Sequence, residues 1–289
     1  FGTITPIESK YESCAAYLEE KGYGDMTLEQ LRELPTSAFI NETTEKPEIY
    51  SKGFGACLDG YVLPVNPVDV FTQEGGLNGV NVMFGNNSGD GNDTFSVITK
   101  DEFYEGAKNT YGDLYEAYDF ESLYVPSDDL GATMINLELQ SQQRTTQNTL
   151  VAQYLSKLNK DSNVYVFLFS HAAPGREAEI RKAWHSADLW YWFDSMRDIP
   201  QQRDWTALDY AIGDMSSQYW VNFAAYGNPN GPEVPYWPTT TADNPVFMDL
   251  NDEFAVRTDF YSGTYKADRD NMMRDYVLNR YSQLSDLSE

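Results

Sequence analysis

Residues 183–193 read Ala-Trp-His-Ser-Ala-Asp-Leu-Trp-Tyr-Trp-Phe, which surrounds one of the chain's two histidines, His185, with aromatic side chains. A histidine among aromatic residues is more often a buried structural residue than a catalyst, so the cluster alone assigns it no role. The aromatic residues are candidates to line a small-molecule pocket, although we expect most of them to pack in the core. They are Trp184, Trp190, Tyr191 and Trp192.

Composition and charge place the chain among globular proteins. With 289 residues, 41% of them hydrophobic, it is long enough for one large domain or two small ones. The formal net charge of −25 argues against nucleic acid as a partner, because a phosphate backbone requires a basic surface. No apolar run approaches the roughly 20 residues of a membrane-spanning helix, so no membrane span is predicted.

Cysteines and histidines are too few for a disulfide framework or a metal centre. Cys14 and Cys57 do not have the spacing of a four-ligand zinc site, and two histidines exclude a histidine-rich one. A buried thiol is expected for Cys57, which lies in an apolar setting. Sequons at Asn41, Asn86 and Asn92 matter only in a eukaryotic secretory context, and both cytoplasmic and secreted locations stay open.

The hydrophobic pattern predicts alternating strands and helices. Helices are predicted over residues 8–22, 27–34, 67–71, 101–120, 144–159, 207–226 and 265–285, and strands over 80–85, 164–170 and 246–250. This alternation is typical of an α/β architecture with a largely parallel sheet flanked by long helices. Nothing marks an internal domain boundary. Three strands are nevertheless few for a chain with this much helix.

A polar loop after the first predicted strand contains a candidate partner for His185. A catalytic histidine needs a carboxylate that fixes its tautomer and stabilises its cation. Asp90 follows the strand at 80–85, and sites in open α/β sheets form at the carboxyl ends of strands. Spacing alone would still favour a solvated loop aspartate in a glycine turn.

The second histidine, His171, directly follows the strand at 164–170 and precedes an Ala-Ala-Pro-Gly turn. It could therefore lie near a site at the same sheet edge. We favour a structural role, because a histidine at the end of a strand commonly forms hydrogen bonds with the backbone.

The stretch 183–193 resembles the segment around the catalytic histidine of type-B carboxylesterases, which are cholinesterase-like and para-nitrobenzyl esterase-like α/β-hydrolases. That segment has a small residue, an aromatic, His, two residues, an acid, Leu and an aromatic pair. Residues 59–64 resemble the family's Asp-Gly segment, and 219–231 with 237–238 resemble its C-terminal helix and turn. The resemblance runs from about residue 1 to 285 in the family's order.

The loop around Asp90 also resembles this family, which has a strand, a glycine, a polar run, an acid followed by Gly, and then an aromatic. The corresponding residues are Gly85, Asp90, Gly91 and Phe95. The family usually has Glu at the acid, whereas this chain has the shorter Asp, and the run to Phe95 is one residue longer. Asp93 is therefore left open as an alternative acid.

The resemblance implies that residues 1–289 are the C-terminal half of a single α/β-hydrolase domain. It further implies ester hydrolysis by a Ser-His-Asp triad, with His185 as the base and Asp90 as the orienting acid. The expected substrate is a small-molecule carboxylic ester, and no cofactor is implied. The alternative is a non-catalytic cholinesterase-like domain used for binding or adhesion.

The nucleophile of such a triad is not found in these residues. No G-x-S-x-G elbow and no HGGG-type oxyanion segment occurs in the sequence. The chain begins at Phe1 like a processed product, and we expect a separate N-terminal half of the enzyme to supply the serine. Without that half, the strands at 80–85 and 164–170 are expected to expose unpaired edges.

Overall fold

A computed structural model describes residues 4–41, 43, 45, 48, 55–92, 95–199, 203–261, 264–281 and 284. The chain forms two compact units, Phe1–Gln73 and Glu74–Glu289, and both candidate site residues belong to the second. Within the described ranges, every helix is too short or too polar to cross a lipid bilayer.

The elements follow one another along the chain with short connections. The first unit contains α1 (Ile7–Glu20), α2 (Leu28–Arg32), a 3₁₀ turn (Thr36–Phe39) and α3 (Pro67–Phe71). The second contains β1 (Val82–Asn87), α4 (Lys100–Tyr111), α5 (Asp113–Ala117), α6 (Phe120–Leu123), α7 (Asp129–Leu158), β2 (Val164–Phe169), α8 (Ala178–Arg181), α9 (Leu189–Trp192), α10 (Ala207–Tyr226), β3 (Phe247–Leu250), β4 (Ala255–Arg257) and α11 (Thr264–Arg280).

Local sequence signals explain the first unit. Thr27 begins α2 with a capping box. The Thr27 hydroxyl oxygen accepts the Gln30 amide hydrogen, and the Gln30 side-chain oxygen accepts the Thr27 amide hydrogen. Both cysteines are free thiols and half-buried, so the expectation of a buried Cys57 is wrong. The Asp59 carboxylate accepts amide hydrogen bonds from residues 61–63 and closes the turn there.

The second unit is built on one four-stranded sheet in the order β1-β2-β3-β4. The pairs β1–β2 and β2–β3 are parallel, with Val82 opposite Val164, whereas β3–β4 is antiparallel. The expected mainly parallel sheet is therefore confirmed. The expectation that the strand at 164–170 exposes an unpaired edge is wrong, because β2 lies between two partners and all six of its residues are buried.

Helices cover both faces of this sheet. Alternate residues of β2 point to opposite faces of the sheet. On one face Val166 belongs to a hydrophobic cluster with Ala152 of α7, and on the other Phe167 belongs to a hydrophobic cluster with residues of α9 and α10. The second cluster contains Tyr191 and Tyr219 and is the more aromatic one. This three-layer arrangement fixes the carboxyl ends of β1 and β2, where the candidate site lies.

Two helices differ from their predicted extents. The segment 101–120 is not one helix, because Gly112 has φ +54° and separates α4 from α5. The helix predicted at 144–159 is α7, which begins at Asp129 with the Asp128 carboxylate accepting the Gly131 amide hydrogen. This longer α7 is one of the elements that span the connection between the two strands.

Burial changes the pKa of the carboxyl group of Asp270 on α11. Its two oxygens accept hydrogen bonds from Gln142 Nε2 (3.0 Å) and from the Tyr261 amide (3.1 Å). Burial raises its pKa from 3.8 to about 6. Since the pKa is higher in the folded state than in the unfolded state, the stability that Asp270 contributes is fully present below pH 3.8 and is lost as the pH rises through about 6.

We expect Asp270→Asn to remove this pH dependence. A shift of two pKa units corresponds to about 3 kcal/mol, and partial exposure reduces it to about 1–2 kcal/mol. The free energy of unfolding of the variant, relative to wild type, should therefore improve by that amount between pH 4 and pH 7. Urea denaturation at four pH values measures this, with the exposed Asp268→Asn as the control. If the free energy of unfolding changed with pH in the same way in wild type and Asp270→Asn, the prediction would be contradicted.

Candidate active site

The candidate site consists of two loops at the carboxyl edge of the sheet. Residues 88–92, here called the acid turn, follow β1 directly. Residues 183–188, here called the histidine loop, lie between α8 and α9. The two loops contact each other, because β1 and β2 are adjacent and parallel and their carboxyl ends meet at one edge.

The structure brings His185 and Asp90 into hydrogen-bond contact. His185 Nδ1 lies 2.9 Å from Asp90 Oδ1, although the two residues are 95 positions apart. The second carboxylate oxygen accepts the Asn87 amide hydrogen at 3.0 Å, and Arg144 Nη1 donates to the Asp90 carbonyl at 2.6 Å. The carboxylate is thus held by the backbone on one side and presents its other oxygen to the imidazole.

Burial differs sharply between the two partners. The Asp90 side chain is 20% exposed, whereas that of His185 is 76% exposed. Ala183 and Ala187 are completely buried on either side of His185, and Ser186 has φ +70°. The loop is therefore anchored at both ends and turns sharply after the histidine, which projects the imidazole away from the core.

A second set of hydrogen bonds joins the two loops independently of His185. The Gly89 amide donates to the Ala183 carbonyl at 2.8 Å. Asn87, which is 4% exposed, donates through Nδ2 to the Trp184 carbonyl (3.1 Å) and to Asp188 Oδ1 (2.8 Å). The separation of acid and base is consequently set by β1 and the histidine loop as one unit.

Gly89 lies where the two loops approach most closely. A Cβ atom at this position would collide with the Arg181 carbonyl oxygen and would lie 2.9 Å from the Ala183 carbonyl group. Both obstacles are backbone, which cannot move aside as a side chain does. The glycine is required here by the close approach of the histidine loop.

We expect Gly89→Ala to destabilise the folded chain by about 2–3 kcal/mol, because the backbone of one loop must shift. Gly106 in α4 is the matched control, since a Cβ there meets no atom within 4 Å. Gly106→Ala should instead stabilise the chain by about 0.5–1 kcal/mol. Denaturant unfolding of the three proteins measures both effects. Equal stabilities would contradict the close approach.

The aromatic residues around His185 form the packing beneath it. Tyr191 and Trp192 are buried in the core cluster against β2, and Trp192 Nε1 donates to Asp188 Oδ2 at 2.9 Å. The Arg203 guanidinium lies over the rings of Trp184 (5.5 Å) and Trp190 (5.0 Å). The expectation of core packing agrees with these contacts.

His171 is buried at the end of β2, but its ring nitrogens do not contact the backbone as expected. Nδ1 lies 2.7 Å from Asp252 Oδ1 and Nε2 lies 3.0 Å from Asp209 Oδ1. The contacts that support a structural role for His171 are therefore with carboxylates. Asp93, the alternative acid, falls outside the described residues.

Several residues of the site carried no signal by themselves in the sequence. Asn87 and Arg144 fix the acid turn, yet a lone Asn after a strand and an Arg within a helix suggest no such role. Asn86 and Asn92, predicted as sequons, are buried, and Asn92 Nδ2 donates to the Ile180 carbonyl at 3.1 Å. A glycan at either position would require local unfolding.

A cavity of about 600 Å³ lies beside the acid turn. Its wall includes Ser88 and Asn92 of the turn, Met134 and Ile135 of α7, and Phe260. Its size falls within the range of small-molecule sites. Over the described ranges, no three His, Cys, Asp or Glu side chains are placed to hold a metal ion.

Known proteins resemble this chain over part or most of its length. Bile salt-activated lipase of Bos taurus is 26% identical over 265 residues, which cover 78% of this chain and 42% of the lipase. Acetylcholinesterase of Bungarus fasciatus is 30% identical over 103 residues, covering 32% of this chain and 15% of that enzyme. The chain thus spans less than half the length of these curated relatives.

A solved structure confirms the α/β-hydrolase fold. PNB esterase superimposes with a TM-score of 0.60 at 17% sequence identity, covering 94% of this chain and 56% of the esterase chain. The model of the carboxylesterase family matches residues 7–267, which include both loops of the candidate site. The resemblance to type-B carboxylesterases is thereby confirmed, and the chain belongs to the carboxylesterase family.

Proposed function

We propose that this chain provides the base and the orienting acid of a carboxylic ester hydrolase. His185 is the general base, Asp90 holds it, and a complementary N-terminal half of the enzyme supplies the serine nucleophile. The observation that carries the proposal is the 2.9 Å contact between His185 Nδ1 and Asp90 Oδ1 at the carboxyl edge of a parallel sheet.

The geometry suits the two proton transfers of ester hydrolysis. With Nδ1–H donated to Asp90, Nε2 is the nitrogen that accepts the serine proton as the hydroxyl attacks the ester carbonyl. The resulting imidazolium is stabilised by the Asp90 carboxylate and returns its proton to the departing alcohol. Water then enters as the second nucleophile and gives a proton to His185, which passes it to the serine oxygen as the acyl–serine bond breaks, so the acid product leaves with the serine restored.

The outer edge of β1 supports the proposed complement. In the described part of the unit Glu74–Glu289, β1 pairs only with β2. Four of its six residues are only half-buried, whereas β2 is buried throughout, and Val80 just before it is 60% exposed. An unpaired edge accepts a further strand. We infer that the sheet of the complementary half continues there.

Charge and cavity size define the substrate class that we propose. A net charge of −25 disfavours anionic esters, so neutral or cationic ones are expected. We assign the 600 Å³ cavity beside the acid turn to the acyl or alcohol portion of the ester. Its lining combines the apolar Met134, Ile135 and Phe260 with the polar Ser88 and Asn92, and its volume suits a group longer than acetyl.

Reconstitution tests the proposal. The chain is mixed with a carboxylesterase N-terminal half that carries the G-x-S-x-G segment, and hydrolysis of p-nitrophenyl acetate and butyrate is followed. We expect each half alone to be inactive and the mixture to reach full activity at equimolar amounts, with butyrate hydrolysed at least as fast. The serine-to-alanine complement is the control.

Two results would overturn the proposal. A stable complex without esterase activity would favour the non-catalytic binding or adhesion domain instead. A chain that is monodisperse alone, unfolds cooperatively and binds no complement would remove the need for a partner half.

A further inference from the structure

His171 is a buried residue in contact with two carboxylates, and the proposed reaction does not use it. Its side chain is 7% exposed and lies between two carboxylates, with Nδ1 2.7 Å from Asp252 and Nε2 3.0 Å from Asp209. Carboxylates accept hydrogen bonds and do not donate them when ionised. The His171 ring is thus held between two acceptors that come from different parts of the chain.

Asp209 connects the His171 ring to two helices. One oxygen accepts from Thr206 and caps α10, and the other accepts from His171 and from the Tyr191 hydroxyl at 2.7 Å. Burial acts to raise the pKa of Asp209, but hydrogen bonds from Thr206, His171 and Tyr191 outweigh it, and the pKa is lowered. Asp209 therefore remains an ionised acceptor in the core.

Tyr191 carries this connection to the histidine loop. It lies on α9, which begins directly after the loop ends at Asp188. Its ring is completely buried, and its centroid lies 5.4 Å from that of His171 in an edge-on contact. The start of α9 is thus held to β1 by Asp188 and Asn87, and its third residue, Tyr191, is held to α10 through Asp209.

We propose that His171 is a positioning residue for His185. Its ring holds Asp209, and through Asp209 and Tyr191 it fixes α9 and the end of the histidine loop. The groups that face it are Asp252 from the turn after β3, Asp209 from α10 and Tyr191 from α9. This role rests on the proposed function, because it acts through the catalytic base.

The Tyr191 hydroxyl is the link that can be removed with least disturbance. Tyr191→Phe keeps the ring packing and deletes only the hydrogen bond to Asp209. Tyr219→Phe is the matched control, because Tyr219 is also completely buried in the same cluster and its hydroxyl makes one hydrogen bond, to the Pro235 carbonyl at 2.6 Å. The two variants therefore keep their ring packing and lose one hydrogen bond each.

The test uses the reconstituted enzyme with isotope-labelled histidines in this chain alone. Two histidines give two sets of imidazole signals, so His171 and His185 are both resolved. Tyr191→Phe should lower kcat about tenfold with KM within twofold of wild type, and should move the His185 Nδ1 signal. Tyr219→Phe should leave kcat and that signal unchanged.

The outcomes separate this inference from the proposed function. Equal kcat and equal His185 signals in the two variants would overturn the inference. His171→Gln is the second variant: it should move the His185 signal in the same direction as Tyr191→Phe. If the complex is inactive the proposed function fails, whereas the imidazole signals still decide whether His171 positions His185.

Discussion

His185→Ala is expected to lower kcat of the reconstituted esterase by about 10⁴- to 10⁶-fold, the range for losing the histidine of a serine hydrolase triad. Without the imidazole, no group receives the serine proton or returns it to the leaving alcohol. KM should change little, because His185 acts on the reacting atoms. The measurement is p-nitrophenyl ester hydrolysis at saturating complement, together with the KM of the same ester.

The same substitution should leave stability nearly unchanged. The His185 side chain is 76% exposed, and exposed substitutions usually alter the free energy of unfolding by less than about 0.5 kcal/mol. Loss of activity can therefore be attributed to chemistry. Glu179→Ala on α8, also exposed, is the control and should retain full activity. Activity indifferent to His185→Ala would remove the histidine from the mechanism.

Asp90→Asn is expected to lower kcat by about 10³- to 10⁴-fold while the fold is retained. An amide is nearly the same shape as the carboxylate, but it carries no charge to stabilise the imidazolium. If its oxygen continues to accept the Asn87 amide hydrogen, its NH₂ group faces His185 Nδ1. A donor at that position favours the tautomer whose Nε2 carries the hydrogen, which cannot accept the serine proton.

The comparison that isolates Asp90 uses two other aspartates. Asp214→Asn changes the net charge by the same amount on an exposed face of α10 and should be fully active. Asp93→Asn tests the alternative acid left open by the sequence. Full activity of Asp90→Asn combined with inactivity of Asp93→Asn would transfer the orienting role to Asp93.

The sequence predicts the elements on which the site stands because their signals are local. Buried runs of β-branched and aromatic residues identify β1 and β2, and α10 has a capping box at Thr206 and a glycine at its end, Gly227. Identification of His185 and Asp90 as partners depends on flanking residues in a known order. Their distance of 2.9 Å then follows from the parallel pairing of β1 and β2.

What the sequence does not predict depends on tertiary contacts. The sequence of a strand does not show which other strands it pairs with, so the pairing of β2 on both of its edges was not predicted. The three-residue strand β4 is too short for a periodic signal and is held by Phe247–Asp249 of β3. The carboxylates around His171 are likewise distant in sequence, so the ring's acid partners had no local signal.

The long connection between β1 and β2 has a consequence for how the chain acquires its site. The contact between Asp90 and His185 closes a loop of 95 residues, and contacts of large sequence separation form slowly because loop-closure entropy opposes them. We therefore expect the hydrogen bond to form late in folding, after the helices α4 to α7 of the connection. A partly folded chain cannot present an oriented imidazole. Under the proposed function, catalytic activity would therefore show that the connection between β1 and β2 has folded.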